Sequence, residues 1–572
     1  MISRLAVPTR PEQLLTVVMM TVLAASLTWL APTIGMAGDR DDRDDWNDRD
    51  DRRDEATWSM SGQGITNWRF QPGEKKLSPR NVGRLKTAWV ASLAGDISAT
   101  PAVVDGEVYV PDWGGKIWKL DAKTGAVIWS KSVSAITGIP DTGFPRSISR
   151  TSPAVVNDVV VFGSQAGAWL IALKRKTGEL KWKVQLDPHP TAVVTQSPTV
   201  HKEVVYVGVA SQEEAVVSFD LTYQCCTFRG SMLAVSLANG KIKWKTYTTS
   251  NDGVPGGYAG ASVWGSSPAI DEKRRRVYVG TGNNFDAPQT VKDCVSAPGG
   301  PYYDMCEPQG NGNHVDAVLA LDMKDGHIIW SHKLQGYDAW NVACIPPPFS
   351  VPGAYELYCP QPTGPDYDFA QGPMLIQTAV GDIVAAGQKS GMFWGLNPND
   401  GSIIWSRNAG PGSTLGGMEW GSATDGHRIY YAVANFNFQQ HVLVNPPAGT
   451  PLFTIAGFWG ALDAATGAVL WQTADPNTTL SPAFNVAVDI GPVSVANGVV
   501  YVGSMAGFPG ATTGRPTMFA LDAATGAQLW SFASGGSVNA SPAIVDGTLY
   551  WGSGFSNFNL GDASNKLYSF SR

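Results

Sequence analysis

Residues 461–471, Ala-Leu-Asp-Ala-Ala-Thr-Gly-Ala-Val-Leu-Trp, form a sequence motif that the chain repeats. A nearly identical copy lies at residues 520–530. Five earlier copies share a glycine four residues before a tryptophan: Gly125 before Trp129, Gly178 before Trp182, Gly240 before Trp244, Gly326 before Trp330 and Gly401 before Trp405. An eighth, degenerate copy ends at Trp89. Each copy is typical of two strands joined by a tight turn, because glycine accepts a positive φ there.

The spacing of the tryptophans sets the size of the repeating unit. Successive tryptophans lie 40 to 86 residues apart, which leaves room for about four short strands, the size of a propeller blade. A second repeated phrase predicts the start of each inner strand: Thr100-Pro101, Ser152-Pro153, Ser197-Pro198, Ser267-Pro268 and Ser541-Pro542. Eight tryptophan ends predict an all-β, eight-bladed β-propeller over residues 57–572. Residues 566–570 are expected to complete the first blade, so that both chain ends close the ring.

The composition agrees with such a fold and excludes one class of partner. Only 16% of the 572 residues are charged, while glycine occurs 63 times and tryptophan 21 times, as suits a turn-rich all-β protein. The net charge of −7 argues against nucleic acid as a partner. We expect the repeated tryptophans to dock neighbouring blades and to take no part in chemistry.

The N-terminal segment is expected to direct export. Residues 1–37 combine Arg4 and Arg10, an apolar core over residues 14–30 and a small-residue cleavage site at 35–37, which predicts a secretory signal peptide. No later run approaches about 18 apolar residues, so a periplasmic or secreted protein without a membrane span is expected. An uncleaved anchor is the alternative. Residues 38–56, nearly all Asp and Arg, predict a disordered linker.

The chain has six cysteines, and an exported chain can keep disulfides. Four of them would close two loops inserted between blades, pairing Cys294 with Cys306 and Cys344 with Cys359. Cys225 and Cys226 remain, adjacent in the sequence. The sequence contains no Cys-x-x-Cys-His motif, so no site for covalently attached haem c is predicted.

Three stretches carry a resemblance to a known family. The opening segment, residues 58–89 with Trp58-Ser-Met-Ser-Gly and Asn67-Trp-Arg, looks like that of the quinoprotein alcohol dehydrogenases. Residues 225–229, Cys-Cys-Thr-Phe-Arg, and residues 338–344, Asp-Ala-Trp-Asn-Val-Ala-Cys, look most like polyvinyl alcohol dehydrogenases. The resemblance covers almost the whole mature chain. It implies an exported propeller that carries pyrroloquinoline quinone (PQQ) and a metal ion on its axis.

The resemblance implies roles for residues around the cofactor. Arg150 would hold a quinone carboxylate, which a bidentate guanidinium suits, and Thr195 would hydrogen-bond the cofactor. Trp264, outside the glycine–tryptophan series, would stack on the quinone ring. Lys389 would reach the quinone carbonyl.

Four further residues complete the implied cofactor site. Glu419 and Trp420 would close over the cofactor. Cys225 and Cys226 would form a vicinal disulfide over the quinone face, although the family places its doublet earlier in the chain. The alternative is that each of these cysteines pairs elsewhere.

The resemblance also implies a metal site. Glu213 and Asn283 would bind the ion, with Glu214 able to substitute for Glu213. Such oxygen ligands suit Ca²⁺. Asp368 would join them, and if Asp366 also approached the ion, a trivalent lanthanide would be the alternative metal.

Three aspartates are candidates for the catalytic base. Asn341 stands where the family has an Asp, and an asparagine takes no proton at neutral pH. Asp368 or Asp366, placed just before an apolar strand, is therefore preferred, with Asp338 in reserve.

The implied activity is alcohol oxidation. The base takes the alcohol proton, hydride passes to the metal-bound quinone, and electrons pass to a separate cytochrome c. The substrate would be a small alcohol or a polymer such as polyvinyl alcohol. The alternative is a cofactor-free propeller that acts as a periplasmic binding or assembly scaffold, since such scaffolds share the blade motif. Polar residues between blades argue against it.

Overall fold

The computed structural model describes residues 57–250, 253–298, 303–477, 486–506, 514–557 and 560–572. The predicted signal peptide and linker lie outside these residues. Within them, no helix has the length and apolar character needed to cross a membrane.

Eight antiparallel sheets form the blades, seven with four strands and one with five, and the first four follow one another along the chain. Blade 1 consists of Ala102–Val104, Glu107–Pro111, Lys116–Asp121 and Val127–Ser132. Blade 2 consists of Ala154–Val156, Val159–Gly163, Trp169–Lys174 and Leu180–Gln185. Blade 3 consists of Thr199–His201, Val204–Ser211, Ser231–Ser236 and Ile242–Tyr247, with Ala192–Val193 added beside its second strand. Blade 4 consists of Ala269–Asp271, Arg276–Gly280, Ala317–Asp322 and Ile328–Lys333.

The remaining four blades continue this pattern. Blade 5 consists of Met374–Thr378, Gly381–Gly387, Met392–Leu396 and Ile403–Asn408. Blade 6 consists of Ala423–Thr424, Arg428–Val433, Phe458–Asp463 and Val469–Ala474. Blade 7 consists of Ser494–Ala496, Val499–Gly503, Met518–Asp522 and Gln528–Phe532. Blade 8 consists of Ala543–Val545, Thr548–Gly552, Lys566–Ser571 and the N-terminal strand Lys86–Ser92.

Short elements occupy the connections. The α-helices are Val133–Thr137, Glu213–Val216, Gln289–Ser296, Tyr303–Cys306 and Ala354–Tyr358, and the 3₁₀ turns are Val82–Arg84, Ala166–Ala168 and Val342–Cys344. Two small two-stranded sheets pair Ala259–Gly260 with Asn284–Asp286 and His441–Val442 with Phe453–Thr454.

The ring closes as the sequence predicts. The last strand, Lys566–Ser571, pairs antiparallel with Lys86–Ser92, and Trp89 lies opposite Ser569. Both chain ends therefore contribute to one blade. The predicted inner strands are also confirmed, because the first strand of blades 1, 2, 3, 4 and 8 begins one residue after the proline of the repeated phrase.

The repeated glycine–tryptophan motif docks successive blades. Gly526, at φ 74°, lies against Trp471 of the preceding blade, and a Cβ there would meet the indole at 2.5 Å. The Trp471 indole N–H donates to the carbonyl of Ala523 at 3.1 Å, in the same turn. The same glycine-on-indole packing recurs between other blades, at Gly125, Gly178, Gly240, Gly326, Gly401 and Gly467. The repeated motif therefore has a structural role, as predicted.

The N-terminal segment threads the propeller axis. Main-chain hydrogen bonds join residues 58–71 to the innermost strands of blades 1, 2, 4, 5, 6 and 7. These strands have free edges only toward the axis, so the segment fills the axial channel at this level. The Asn67 side-chain amide donates to the carbonyls of Ser267, Gly372 and Pro373. Arg69, which is 2% exposed, lies on the same segment.

All three disulfides lie within the described residues. Cys294 pairs with Cys306 and Cys344 with Cys359, as predicted for the two inserted loops. Cys225 and Cys226 are bonded to each other, so the chain has a vicinal disulfide.

Candidate active site

The predicted site residues come from two kinds of loop that open on one face. Loops before an innermost strand carry Arg150, Thr195, Trp264, Asp338, Asp366, Asp368, Glu419 and Trp420. Loops after a second strand carry Glu213, Cys225, Cys226, Asn283 and Lys389. Because these two strands are antiparallel, the start of one and the end of the other lie at the same end of a blade.

Asp368 lies at the centre of the residues that the fold brings together. Its Oδ2 accepts the Trp264 indole N–H at 2.8 Å, and its Oδ1 accepts the Asn283 main-chain N–H at 2.6 Å. The Lys389 ammonium lies 3.4 Å from Oδ2. A Cβ on Gly282 would lie 2.8 Å from this oxygen, so only glycine leaves room for the carboxylate.

Lys389 joins the carboxylates to the indole. Its Nζ lies 3.2 Å from both oxygens of Asp366 and 5.4 Å from the centre of the Trp264 ring. Burial alone would lower the pKa of Lys389, but Asp366 and Asp368 more than offset burial and raise it. The lysine is therefore a fixed positive charge beside the indole.

Asn283 presents an oxygen. Its Nδ2 donates to the carbonyls of Asn284 at 3.0 Å and Trp340 at 2.7 Å. Both amide hydrogens are thus used, and no hydrogen bond from the described residues reaches Oδ1. The free side-chain atom of Asn283 is a carbonyl oxygen, the ligand type that a hard cation prefers.

Glu213, predicted as the main metal ligand, is turned toward its own loop. Its carboxylate accepts the Tyr223 hydroxyl at 2.9 Å and the main-chain N–H groups of Thr227 and Phe228 at 2.8 and 2.9 Å. These bonds hold the segment that carries the vicinal disulfide. The geometry therefore disfavours Glu213 as a ligand, because its oxygens already serve the loop.

Glu214 faces the site instead. Burial and the Asp368 charge raise its pKa to about 8, whereas Lys389 lowers it. No hydrogen bond among the described residues reaches its carboxylate. A one-residue step along the short helix Glu213–Val216 rotates the side chain by about 100°, which explains why neighbouring glutamates face different surroundings.

The cluster holds more carboxyl groups than cationic groups. Burial raises the pKa of Asp366 well above its usual range, Lys389 lowers it, and Asp368 raises it further. Asp366 and Asp368 pair with Lys389, whose charge also acts on Glu214. With the Asn283 oxygen, these groups are oxygen donors of the type that a hard metal ion such as Ca²⁺ prefers.

Asp338, the alternative candidate for the catalytic base, has a structural role. Its two oxygens accept the main-chain N–H groups of Asp366 at 2.9 Å and Tyr367 at 2.7 Å. It therefore holds the turn in which Asp366 adopts a φ of 62°. This disfavours it as the base.

Sequence reasoning missed Asp316, which lies behind this turn. It is fully buried, neither carboxylate oxygen has a hydrogen-bond donor among the described residues, and burial with Asp338 raises its pKa. It stands just before the third strand of blade 4, where no motif marked it.

Arg150 stacks on the other predicted aromatic. Its guanidinium carbon lies 4.2 Å from the Trp420 ring centre, and Trp420 meets Trp264 edge-on with ring centres 5.1 Å apart. Burial raises the pKa of Glu419 to about 7, although Lys389 and Arg150 lower it. The structure therefore groups Arg150, Glu419 and Trp420 with the Trp264 side of the site.

Thr195 lies between the main chain of Trp264 and an axial cavity. Its hydroxyl donates to the Trp264 carbonyl at 3.4 Å. Together with Arg150 and Trp420 it lines a cavity of about 30 Å³.

The vicinal disulfide packs in a hydrophobic cluster. Cys226 is fully buried there with Val217, Phe228 and Phe285, and Cys225 packs against the same cluster. The place of this disulfide over a quinone stays a prediction.

The chain was compared with known proteins. A family model described as outer membrane protein assembly factor BamB matches residues 63–332 and 460–568. Polyvinylalcohol dehydrogenase from Pseudomonas sp is 31% identical over 555 residues, which cover 90% of this chain and 76% of that protein. The same enzyme from Sphingopyxis sp. (strain 113P3) is 30% identical over 531 residues, which cover 86% of this chain and 71% of that protein.

A solved structure supports the fold. The quinohemoprotein alcohol dehydrogenase from Comamonas testosteroni aligns with a TM-score of 0.62 at 20% identity, covering 90% of this chain and 80% of that one. At this identity the likeness concerns the eight-bladed propeller. The two sequence relatives, each matched over more than two thirds of its length, carry the family assignment. The chain belongs to the quinoprotein alcohol dehydrogenases, with polyvinyl alcohol dehydrogenases among its relatives, and it is an oxidoreductase of that family.

Proposed function

We propose that the protein is a PQQ- and metal-dependent alcohol dehydrogenase of exported type, in which residues 57–572 form the catalytic propeller. The observation that carries the proposal is the position of Asp368 between the Trp264 indole, the Asn283 amide and the Lys389 ammonium. Such a buried set of opposed charges is typical of a catalytic site.

The residues present fit the cofactor. PQQ supplies a quinone that accepts the two electrons of alcohol oxidation as hydride. The Trp264 ring offers a flat surface for a fused ring system, and Arg150 offers a guanidinium for a carboxylate. Lys389, close to the same indole, offers a hydrogen-bond donor to a carbonyl oxygen. Thr195 and Glu419 would add polar contacts at the edge of the ring.

Asp368 is the proposed catalytic base. As a carboxylate it takes the proton of the substrate hydroxyl while the indole and the Asn283 amide hold its orientation. Asp366 is proposed to pair with Lys389 and to keep that ammonium directed at the cofactor.

Glu214, Asn283 Oδ1 and Asp368 are the proposed metal ligands, with Ca²⁺ as the metal. These groups are all oxygen donors, as Ca²⁺ requires. Asp366 as a fourth protein ligand would raise the negative charge and favour a trivalent lanthanide. The metal would act as a Lewis acid and would stabilise the negative charge that develops on the cofactor.

The proposed substrates are secondary alcohols, including those of polyvinyl alcohol, because the two relatives at 31% and 30% identity are named for that polymer. A separate cytochrome c is the proposed electron acceptor, since the sequence has no haem-attachment motif. Residues 1–37 are proposed to be removed on export to the periplasm, and residues 38–56 to form a linker.

Reconstitution tests the proposal. The purified protein is loaded with PQQ and Ca²⁺, and dye reduction is followed with a secondary alcohol and with polyvinyl alcohol. Alcohol-dependent reduction that needs both additions, and that Asp368→Asn abolishes, is expected. If the protein binds the quinone but reduces no dye, the proposed enzyme activity is refuted. If it neither binds the quinone nor reduces the dye, the alternative of a cofactor-free scaffold is favoured.

A further inference from the structure

A cavity on the propeller axis has an unusual lining. It combines the guanidinium groups of Arg69 and Arg150 with seven serine and threonine hydroxyls and the Asn539 amide. Among the described residues no carboxylate lines it. Its positive charges therefore have only neutral polar groups as neighbours within the cavity.

Arg69 is the more isolated of the two charges. It is 2% exposed, and its guanidinium donates to the Ser61 and Ser541 hydroxyls at 2.8 and 3.3 Å and to the Trp420 carbonyl at 3.4 Å. All three acceptors are neutral, and Nε has no hydrogen-bond partner within the part of the chain that the structure describes. Burial lowers the pKa of Arg69 to about 10, and no carboxylate acts against burial. The side chain still carries its charge at neutral pH, and a buried charge is normally paired.

The surrounding chain holds this guanidinium in place. Arg69 sits on the axial N-terminal segment, whose main chain is bonded to the innermost strands. Gly421, at φ 132°, lies beside it, and a Cβ there would approach Nε to 2.6 Å. Arg150 approaches the cavity from the stack on Trp420, with Glu419 as the acidic group that acts on it. Among the described residues no such group acts on Arg69, so its N–H groups form a preorganised, positively charged donor site.

We propose that the axial cavity binds a small monovalent anion, of the halide or carboxylate type, on Arg69 and the surrounding hydroxyls. The cavity has a volume of about 30 Å³, compared with the roughly 10–15 Å³ that one water molecule needs. The ligand is therefore a small ion or a single carboxylate and not a ring system. Its source is either free anion from solution or a carboxylate of a cofactor bound above, and only the second source rests on the proposed function.

Bromide scattering tests the site directly. Crystals of the cofactor-free protein are soaked in bromide, and anomalous density is measured. A peak at about 3.3 Å from an Arg69 nitrogen, the reach of a hydrogen bond to a large anion, is expected. In PQQ-loaded crystals the same peak identifies a free anion, and a quinone carboxylate against Arg69 identifies the cofactor as the source. If neither crystal shows bromide or a carboxylate at Arg69, the proposal is overturned.

A solution measurement separates anion binding from folding. The melting midpoint of the cofactor-free protein is followed in chloride against gluconate at constant ionic strength, and should rise with chloride. Arg69→Met should weaken the apparent chloride affinity at least about tenfold, since it removes charged donors. Arg80→Met, at an exposed arginine, should leave the affinity unchanged. An unchanged chloride response in folded Arg69→Met contradicts the proposal, and if that variant does not fold, the bromide crystals decide.

Discussion

The Trp264 indole N–H donates to the Asp368 carboxylate at 2.8 Å across a separation of 104 residues. This bond joins the aromatic surface before blade 4 to the acidic loop before blade 5. The main-chain N–H of Asn283 reaches the other oxygen of the same carboxylate. One aspartate therefore connects the proposed floor of the cofactor site to its proposed metal ligand.

The two candidate bases should differ in effect. Asp368→Asn is expected to lower kcat about 100- to 10,000-fold, the usual contribution of a general base. Asp366→Asn removes the pairing with Lys389 and should lower kcat less. Steady-state kinetics of the reconstituted variants make the comparison. A larger loss in Asp366→Asn would transfer the base role to that residue.

Neighbouring glutamates should separate metal binding from loop stability. Glu214→Gln is expected to weaken Ca²⁺ binding at least about tenfold, because a charged ligand is lost. Glu213→Gln weakens the bonds to Thr227 and Phe228, so it should lower the melting midpoint and leave the Ca²⁺ affinity nearly unchanged. Calorimetric Ca²⁺ titration and thermal melting measure both. The reverse pattern would restore Glu213 as the ligand.

Gly282 should be essential for the site and dispensable for the fold. Gly282→Ala places a Cβ 2.8 Å from Asp368 Oδ2 and 3.0 Å from the Trp264 indole nitrogen, so it should displace both groups and abolish PQQ binding. Gly143→Ala, where a Cβ meets nothing within 4 Å, is the control. Quenching of tryptophan fluorescence by the quinone is the measurement. Normal quenching in Gly282→Ala would show that the indole–carboxylate geometry is not needed.

Blade docking should depend on the glycine that meets the indole. Gly526→Ala and Gly106→Ala both place alanine at a φ near 75°, but only Gly526 faces a tryptophan, Trp471. The backbone cost of roughly 1–2 kcal/mol is common to both, and overpacking should add about 1–3 kcal/mol at Gly526. Thermal melting compares them. Equal midpoints would mean that indole packing does not limit stability.

Glu419 should make stability depend on pH. Its pKa is raised from 4.5 to about 7, chiefly by burial, so between these values the folded state keeps a proton that the unfolded state loses. Stability therefore falls as pH rises from 4.5 to 7. Glu419→Gln has no such loss, so above pH 7 its free energy of unfolding should exceed that of the wild type by up to about 3 kcal/mol. Below pH 4.5 the two free energies of unfolding should be equal.

Denaturant unfolding of the cofactor-free protein at pH 5 and pH 8 measures this difference. A constant difference between Glu419→Gln and wild type at both pH values would show that Glu419 ionises normally. The expected signature is a gap that opens only as pH rises.

Much of the fold could be predicted because its repeat is local. Gly467 and Trp471 lie four residues apart in one hairpin, so the sequence itself displays the unit that packs. Trp264 stood out for the opposite reason, since it breaks the repeat.

The orientation of single side chains could not be predicted. Glu213 and Glu214 are adjacent, and only the bonds from Thr227 and Phe228 show which one faces the loop. Arg69 and Asp316 depend on contacts between distant blades, and no local pattern of charge or spacing marks them.

The metal position in a crystal of the protein reconstituted with PQQ and Ca²⁺ is the decisive measurement. We expect an ion at roughly 2.3–2.6 Å from oxygens of Glu214, Asn283 and Asp368, the range of Ca²⁺–oxygen distances, with the quinone stacked on Trp264. An ion held by Glu213 without Glu214, or a quinone away from Trp264, would contradict this expectation.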